Sequence, residues 1–361
     1  MRLISIDKVH FGHVLYGNIF NMEGQCLFTA GLKLESHVLD RLVAMKFKHL
    51  LISDAPDMGV DAKPLISEGL RLAALKMMHK IFRSLRGNTD VATAPDLDMK
   101  AVFETCNAMV DEIAMSQRGR VIDIPTVKSP EDLAAEHAVQ TAVLSAYVGC
   151  RLGYNMMILR DLVVGAILHD IGECFLPEKI VNKEGKFTAD DFIIMQQHTV
   201  MGFKYLSRFS DIKATSRAVT IQHHERFSGK GYPKGMAGTQ IHPYSGVVGA
   251  CEIFDAMTSD RPFQIRHPAI VALGLLLSSK DPLFAPDLRE IFPHLFAPFQ
   301  IGTWVTLSDG RIGLVKSVPK ETPTRPDVKV LYDALGAGIP ATVVRLSQDP
   351  GIRIAGIPSE F

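Results

Sequence analysis

The sequence predicts a mainly α-helical protein, in which a central helical domain lies between a small α+β module and a small C-terminal β module. The chain has 361 residues, of which 47% are hydrophobic and 22% charged, so it can bury a core. Apolar residues recur at helical spacings through the middle of the chain, whereas they alternate in short runs near its end. At roughly 100 to 200 residues for each domain, this length favours two or three domains.

Residues 1–62 form the predicted α+β module. Apolar residues alternate on both sides of a turn at 21–24. A helical pattern around Leu39 and Leu42 follows, and the apolar run 50–52 comes after it. No residue spacing in this module suggests catalysis.

Residues 63–297 form the predicted helical domain. Its first helix, 65–86, is expected to end at Gly87, because glycine adopts the left-handed C-cap conformation at little cost. Helical spacing also predicts that three phenylalanines, Phe192, Phe203 and Phe292, belong to the core. Further helices are predicted at 99–115, from the capping signal Ser129-Pro130-Glu131-Asp132 through about 152, and at 157–170, 188–206, 212–224, 246–257 and 268–277.

Residues 298–361 form the predicted β module. Prolines at 282, 286, 293 and 298 are expected to end the helical pattern before it. Short alternating runs then occur at 304–307, 312–316 and 328–332, with a turn at Asp309-Gly310.

Composition excludes several classes of protein. The 39 basic and 39 acidic side chains cancel, which excludes a polybasic arm that binds nucleic acid. The five cysteines contain no CxxC pair, which argues against a disulfide framework or a zinc ribbon and favours a reducing compartment. Because no signal peptide is visible and the longest apolar stretches fall short of the ~20 residues that cross a bilayer, we expect a cytoplasmic protein without a membrane span.

The helical domain contains seven side chains that could bind metal ions. They are histidines and acids without a thiolate, a ligand set that suits divalent iron, manganese, nickel or zinc. Seven ligands exceed the needs of one tetrahedral centre, so we expect two ions, which a carboxylate such as Asp170 could bridge. Two ions roughly 3.5 to 4 Å apart can share a water molecule and neutralise a phosphodiester. The seven residues are His137, His169, Asp170, His198, His223, His224 and Glu252.

Each of these residues also has a purely structural explanation. His137 could be a hydrogen-bonded core residue, His-Asp and His-His pairs occur by chance, and Glu252 could pair with an arginine. The combination favours a metal centre, because the polar residues that interrupt these apolar helices are all histidines or acids, and burying such groups without partners is costly.

Several motifs in this segment resemble those of the HD-GYP group of the HD superfamily. The resemblance implies a helical HD-GYP bundle that acts as a bacterial cyclic di-GMP phosphodiesterase, with linear pGpG or GMP as product and a metal centre that often contains iron. The motifs, all within about 131–268, are His169-Asp170-Ile171-Gly172, His198 with Gly202, His223-His224-Glu225, Gly229-Lys230-Gly231-Tyr232-Pro233 and the block 254–262.

The resemblance also implies roles for particular residues. The metal ligands of the family correspond to the seven side chains above, and Asp170 would bridge the metals and hold the attacking hydroxide. Arg261 would contact a substrate phosphate, and Tyr232 would lie near the nucleotide. For Arg261 the alternative is a salt bridge to Asp255 or Asp260. The candidate catalytic residues are Asp170, His169 and Glu173, and the candidate substrate contacts are Arg261, Tyr232 and Gln264.

The sequence departs from the family pattern at five positions. Glu173 stands where lysine is usual, which reverses a charge near the substrate phosphate. Glu252 and Ser228 replace aspartates, and Gln264 replaces a basic residue. Leu133 occupies the place of a glutamate that trinuclear members carry, so two metals are expected. These departures leave two alternatives open: a catalytically degenerate HD-GYP protein that binds metal, nucleotide or a partner domain, and an HD hydrolase that acts on another phosphoester.

The expected cofactors are two divalent metal ions, with iron first and manganese, nickel or zinc as alternatives. The expected partners are cyclic di-GMP and domains of the diguanylate cyclase type, which would bind through the GYP loop, residues 229–233. A homodimer through the N-terminal module or the first long helix is also expected. Nucleic acid is not expected as a partner.

Overall fold

The structure is a computed structural model that describes residues 2–21, 23–53, 64–116, 122, 133–183, 185–260, 266–278, 280 and 282–358. Within these residues the predicted mainly α class is confirmed. Three hydrophobic clusters follow one another along the chain, the largest within 66–296 and the smaller ones within 4–52 and 301–346. The domain boundaries at 62/63 and 297/298 stay predictions.

The N-terminal module packs one helix on a small sheet. Val38 and Leu42 of α1 are buried in one cluster with Leu50 and Ile52 of β5. The sheet has the antiparallel order β1-β5-β2, and β3 pairs with β4 around the predicted turn. The elements are β1 (Arg2–Ser5), β2 (Val14–Leu15), β3 (Ile19–Phe20), β4 (Cys26–Phe28), α1 (Ser36–Ala44) and β5 (His49–Ser53).

The helical domain surrounds α4, which is buried on almost every side and contacts α2, α3, α5 and α9. Sequence signals start several helices: Ser67 caps α2, and Thr188 with Asp191 forms a capping box on α7. The helices are α2 (Glu68–Leu85), α3 (Met99–Ser116), α4 (Leu133–Arg151), α5 (Met156–Ile167), α6 (Glu178–Val181), α7 (Ala189–Leu206), α8 (Ala214–Gln222), α9 (Pro243–Thr258), α10 (Ala269–Leu276) and α11 (Pro286–Leu295).

Three helix predictions need correction or lie outside the described residues. The helix predicted to reach Asp170 ends at Ile167, and a 3-10 helix, Ile171–Phe175, follows it. The prolines at 286 and 293 do not end the helical pattern: Pro286 occupies the first turn of α11, where its missing N–H costs nothing, and Pro293 lies within the same helix, which ends at Leu295, before Pro298. The capping signal predicted at 129–132 lies outside the described residues.

The C-terminal module is a five-stranded antiparallel sheet of order β10-β6-β7-β8-β9. Its buried residues include Val305, Val315 and Val328, and Tyr16 and Leu51 of the N-terminal module pack against them. The strands are β6 (Trp304–Leu307), β7 (Ile312–Ser317), β8 (Asp327–Tyr332), β9 (Gly338–Arg345) and β10 (Ile354–Gly356). In the part of the chain that is described, none of the helices has the combined length and apolar character that crossing a bilayer requires.

Candidate metal centre

Five helices bring the seven predicted ligands into one region of the helical domain. His137 lies on α4, His198 on α7 and Glu252 on α9. The pair 169–170 follows the end of α5, and the pair 223–224 follows the last residue of α8. Both pairs therefore stand at helix ends, where adjacent side chains are not forced to diverge as they do within a helix.

Two glycines allow the backbones that carry these ligands to approach closely. A Cβ atom on Gly172 would lie 1.9 Å from the carbonyl oxygen of His198. A Cβ atom on Gly249 would lie 2.3 Å from the carbonyl oxygen of His223. Both distances are far inside van der Waals contact, so any side chain at these positions would push the ligand-bearing backbone away.

The ligand atoms form two groups that share Asp170, and within each group the atoms lie within 4.8 Å of one another. The Oδ1 atom of Asp170 is 3.3 Å from Nε2 of His223 and 3.5 Å from Nε2 of His198. Its Oδ2 atom is 3.0 Å from Nε2 of His169 and 3.9 Å from Nε2 of His137. The first group is His137, His169 and Asp170, and the second is Asp170, His198, His223 and His224.

Hydrogen bonds on the outer side of the rings aim the other ring nitrogen at the centre. His169 and His198 place Nδ1 2.7 and 2.6 Å from the carbonyl oxygens of Ala166 and Met195. His223 does the same toward Val219 at 3.0 Å. Because a carbonyl oxygen only accepts, each Nδ1 carries a proton. In the neutral ring this leaves the lone pair on Nε2, the form that binds metal ions.

This arrangement fits cations better than it fits an apolar core. With both Nδ1 atoms protonated, the Nε2 lone pairs of His198 and His223 face each other across 3.3 Å. Nε2 of His169 and Oδ1 of Asp170 are buried and make no hydrogen bond. Buried polar atoms without a partner are costly, and bound metal ions held by these residues would provide the missing partners.

The electrostatics of the centre are dominated by burial and by the Asp170 carboxylate. Burial lowers the pKa of His223 to about 4 and holds the pKa of His224 well below its usual value. Burial would also lower the pKa of His169, but the charge of the nearby Asp170 carboxylate outweighs it and raises that pKa to about 9. The centre thus offers neutral imidazoles at His198, His223 and His224 beside a carboxylate whose own pKa is held well below its usual range by the charge of His169 despite its burial.

Comparison with known protein families assigns this segment. Residues 122–288 match the family model described as HD domain. The helical centre of the chain is an HD domain. Residues 304–357 match a KOW domain associated with the HD domain, and this range includes all five strands of the C-terminal sheet.

The relatives of this HD-domain chain agree with the predicted HD-GYP group. The chain is 29% identical over 259 residues to a cyclic di-GMP phosphodiesterase of Pseudomonas aeruginosa, covering 70% of this chain and 62% of the relative. It is 35% identical over 161 residues to a cyclic di-GMP phosphodiesterase of Thermotoga maritima, covering 44% of each. The chain thus spans less than two thirds of either relative. The predicted family is confirmed.

One solved structure resembles the chain at a lower level. An HDG"Y"P protein from Bdellovibrio bacteriovorus aligns over 80% of this chain and 98% of its own, with 15% identity and a TM-score of 0.46. A similarity of this size supports no conclusion about the site.

The remaining predicted site residues of the HD domain occupy different positions around the two groups. Glu252 lies outside both groups, with Oε2 3.8 Å from Nδ1 of His224. Tyr232 stacks on the His224 ring at 4.6 Å between centroids and 29° between planes. Glu173 is half-buried in the 3-10 helix and lines a separate small pocket with Arg86. Arg261 and Gln264 lie outside the described residues.

One predicted core residue belongs to this region instead. Phe192 was expected in the core with Phe292, but 44% of it is exposed, whereas Phe292 is buried. Its ring contacts Tyr232 edge to face at 5.7 Å. Phe192 on α7 therefore faces the GYP loop. Helical spacing alone could not reveal this contact.

The sequence analysis missed two carboxylates that hold the site in place. Asp255 accepts a hydrogen bond from Nδ1 of His137 at 2.5 Å and another from Ser259. Glu225 is buried and accepts hydrogen bonds from the backbone N–H groups of Lys234 and Met236, both at 2.8 Å. Glu225 therefore shapes the loop that carries Tyr232. The available signals were the i, i+3 spacing of Glu252 and Asp255 and the acid that directly follows the histidine pair.

Proposed function

We propose that this protein is a metal-dependent phosphodiesterase that hydrolyses cyclic di-GMP to linear pGpG or GMP. The observation that carries the proposal is Asp170, whose two carboxylate oxygens each face a pair of histidine Nε2 atoms. A carboxylate in this position can bridge two cations. The relatives named above act on this substrate, and their motifs recur here in the same order.

We propose two divalent metal ions, with iron first and manganese, nickel or zinc as alternatives. The donors are imidazole nitrogens and carboxylate oxygens, which suit these borderline metals. When bound, the ions would supply Lewis-acid chemistry: they would lower the pKa of a shared water molecule and neutralise the charge of the phosphodiester. Glu252 would complete the shell beside His224.

The protein's own residues would then position the substrate. Asp170 would hold the two halves of the centre at a fixed separation, and His137, oriented by Asp255, would aim Nε2 at Oδ2 of Asp170. Tyr232 would offer an aromatic face beside His224, on which a guanine base could stack. Arg261 and Gln264 would contact the phosphate. The GYP loop would also bind domains of the diguanylate cyclase type, and the chain would form a homodimer.

The direct test is hydrolysis by the full chain, reconstituted anaerobically with Fe(II) or Mn(II) and checked for metal content. We expect cyclic di-GMP to be cleaved and an Asp170→Asn variant to be inactive. A panel that includes 3′3′-cGAMP tests substrate choice, since a relative of 28% identity from Vibrio cholerae is a 3′3′-cGAMP-specific phosphodiesterase. Full metal occupancy without turnover of cyclic di-GMP would contradict the proposal.

The alternative, a degenerate HD-GYP protein that binds without catalysis, is favoured by Glu173. Burial first, then Glu252 and Asp170, raise the pKa of Tyr232, and the charge of Glu173 adds to the same shift. The Glu173 carboxylate therefore acts electrostatically on Tyr232, which we place beside the substrate. In that position the negative charge of Glu173 would repel a phosphate group.

A Glu173→Lys variant separates the two functions. If the wild type is inactive and the variant gains turnover, the protein is degenerate. If the wild type is active, we expect this variant to change KM. Glu178→Lys is the matched control, because it makes the same charge change at an exposed position five residues away.

A further inference from the structure

A cavity of about 260 Å³ lies where the three modules meet. The N-terminal module contributes Lys8 and His49, the HD domain contributes Arg266 and His267, and the KOW module contributes Trp304. None of the seven predicted metal ligands lines it. The cavity is therefore separate from the candidate metal centre, and its walls exist only when all three modules are packed together.

The polar lining of this junction cavity is basic. Lys8, His49, Arg266 and His267 line it, and among its described lining residues none is acidic. Burial lowers the pKa of Arg266 to about 10, although Asp260 and Asp255 oppose the shift, so the guanidinium stays charged at neutral pH. Asp7 and Asp260 interact with residues of the lining, Asp7 with Lys8 and Asp260 with His49, but both stand outside it.

The size and the chemistry of the cavity restrict its ligand. Pockets for drug-sized ligands measure about 300 to 1,000 Å³, so this cavity of about 260 Å³ suits a molecule below that size. Arginine and lysine side chains pair most strongly with phosphate oxygens, through short charge-assisted hydrogen bonds. Both restrictions favour a compact anion with one or two phosphate groups.

The cavity is also connected to the segment that carries the predicted phosphate contacts. His49, which lines the cavity, hydrogen-bonds through Nδ1 to both carboxylate oxygens of Asp260, at 2.9 and 3.0 Å. The backbone N–H of Arg266 donates to the same carboxylate at 3.2 Å. Asp260 thus ties together both ends of the segment 261–265, and a ligand that binds His49 or Arg266 would compete with it.

We propose that the junction cavity binds a small phosphate-bearing ligand, such as pyrophosphate or a sugar phosphate, and that its occupancy is transmitted to residues 261–265 through His49 and Asp260. This site is additional to the proposed hydrolysis and does not require it. It would allow the flanking modules to report a cellular phosphate compound to the HD domain.

Trp304 makes the binding directly measurable. It is the single tryptophan of the chain and it lines the cavity. The full-length, metal-loaded protein is titrated with pyrophosphate at constant ionic strength while tryptophan fluorescence is recorded. We expect a saturable change, and a Lys8→Ala/His267→Ala double variant, in which both positions are exposed, should bind at least about tenfold more weakly.

Two controls distinguish binding in the junction cavity from binding at the metal centre and from non-specific anion binding. Pyrophosphate also binds metal ions, so the titration is repeated with a His198→Ala variant, whose metal centre is damaged, and the fluorescence change should persist. Citrate tests for a general anion site. The absence of a saturable change, its loss in His198→Ala, or equal binding of citrate would each overturn the proposed phosphate site.

Hydrogen exchange of a peptide that contains residues 261–265 tests the transmission. We expect pyrophosphate to change its exchange rate in the wild type and to have no such effect in the double variant. An unchanged rate at saturating fluorescence would overturn the transmission to this segment.

Discussion

The two ligand groups that meet at Asp170 are held in place in different ways. In the second group, His198 and His223 are anchored by carbonyl oxygens three and four residues earlier in their own helices. In the first group, His169 has the same kind of anchor at Ala166, but His137 is anchored by Asp255, which is 118 residues away on α9. His169, His198 and His223 are therefore oriented locally, as soon as their helices form, while His137, and with it the first group, depends on the packing of α4 against α9.

The largest effect is expected where the two groups join. Asp170→Asn removes the charge that both groups share. Because the loss of an outer partner of a metal ligand typically lowers affinity or activity 10- to 100-fold, the loss of the shared ligand should lower turnover by more than about 100-fold. Metal content, measured by elemental analysis, should fall for both ions. Retention of one full equivalent would contradict a bridging role.

The second group should be most sensitive to its backbone. Gly172→Ala places a Cβ atom 1.9 Å from the carbonyl oxygen of His198, so α7 must move. We expect the free energy of unfolding to fall by about 3 kcal/mol, the upper end for overpacked sites. Denaturant unfolding measures this change.

The matched control for that substitution is Gly69→Ala. Gly69 lies in α2 and an added Cβ atom would meet nothing within 4 Å. Here alanine should stabilise the helix by about 0.5 to 1 kcal/mol. Equal effects of the two substitutions would show that α7 tolerates a wider separation from the 3-10 helix than the structure indicates.

The first group should be most sensitive to its side-chain anchor. Asp255→Asn weakens the orientation of His137, and we expect about a 10- to 100-fold loss of affinity for one ion while the other is retained. Metal titration distinguishes the two ions. Ser259→Ala, which removes only the hydroxyl that contacts Asp255, should have a smaller effect. Loss of both ions in Asp255→Asn would mean that the two halves are not independently held.

The smallest effect concerns the junction, outside both groups. Burial would raise the pKa of Asp260, but the hydrogen bond and charge of His49 outweigh it and lower that pKa. The contact between His49 and the Asp260 carboxylate therefore stabilises the fold above about pH 3.9, the usual pKa of a free aspartate. This stabilisation is lost as the pH falls through the lowered pKa of Asp260. We expect Asp260→Asn to lower Tm by about 1–2 °C at pH 5 and to match the wild type only once the pH has fallen below the lowered pKa of Asp260. A Tm difference that does not vary with pH would contradict this.

Much of the site could be predicted because its motifs are local in sequence. The pairs 169–170 and 223–224 stand out as polar interruptions of apolar helices, and the structure brings both beside His137 and His198. Asp255 was missed because its importance depends on a partner in α4, and no local pattern records that contact. Phe192 was placed in the core for the same reason: its helical spacing is that of a core residue, yet its ring meets the GYP loop.

The sequence by itself determined the mainly α class, and it predicted the order of the three modules and the residue types of the candidate ligand set, since these follow from hydrophobic periodicity and residue type. Only the tertiary structure decided how the ligands divide between the two oxygens of Asp170, which carboxylate orients His137, and that a basic cavity forms between the modules. The physical reason is that these features depend on contacts between distant residues, which form only when the helices and modules pack at van der Waals distance.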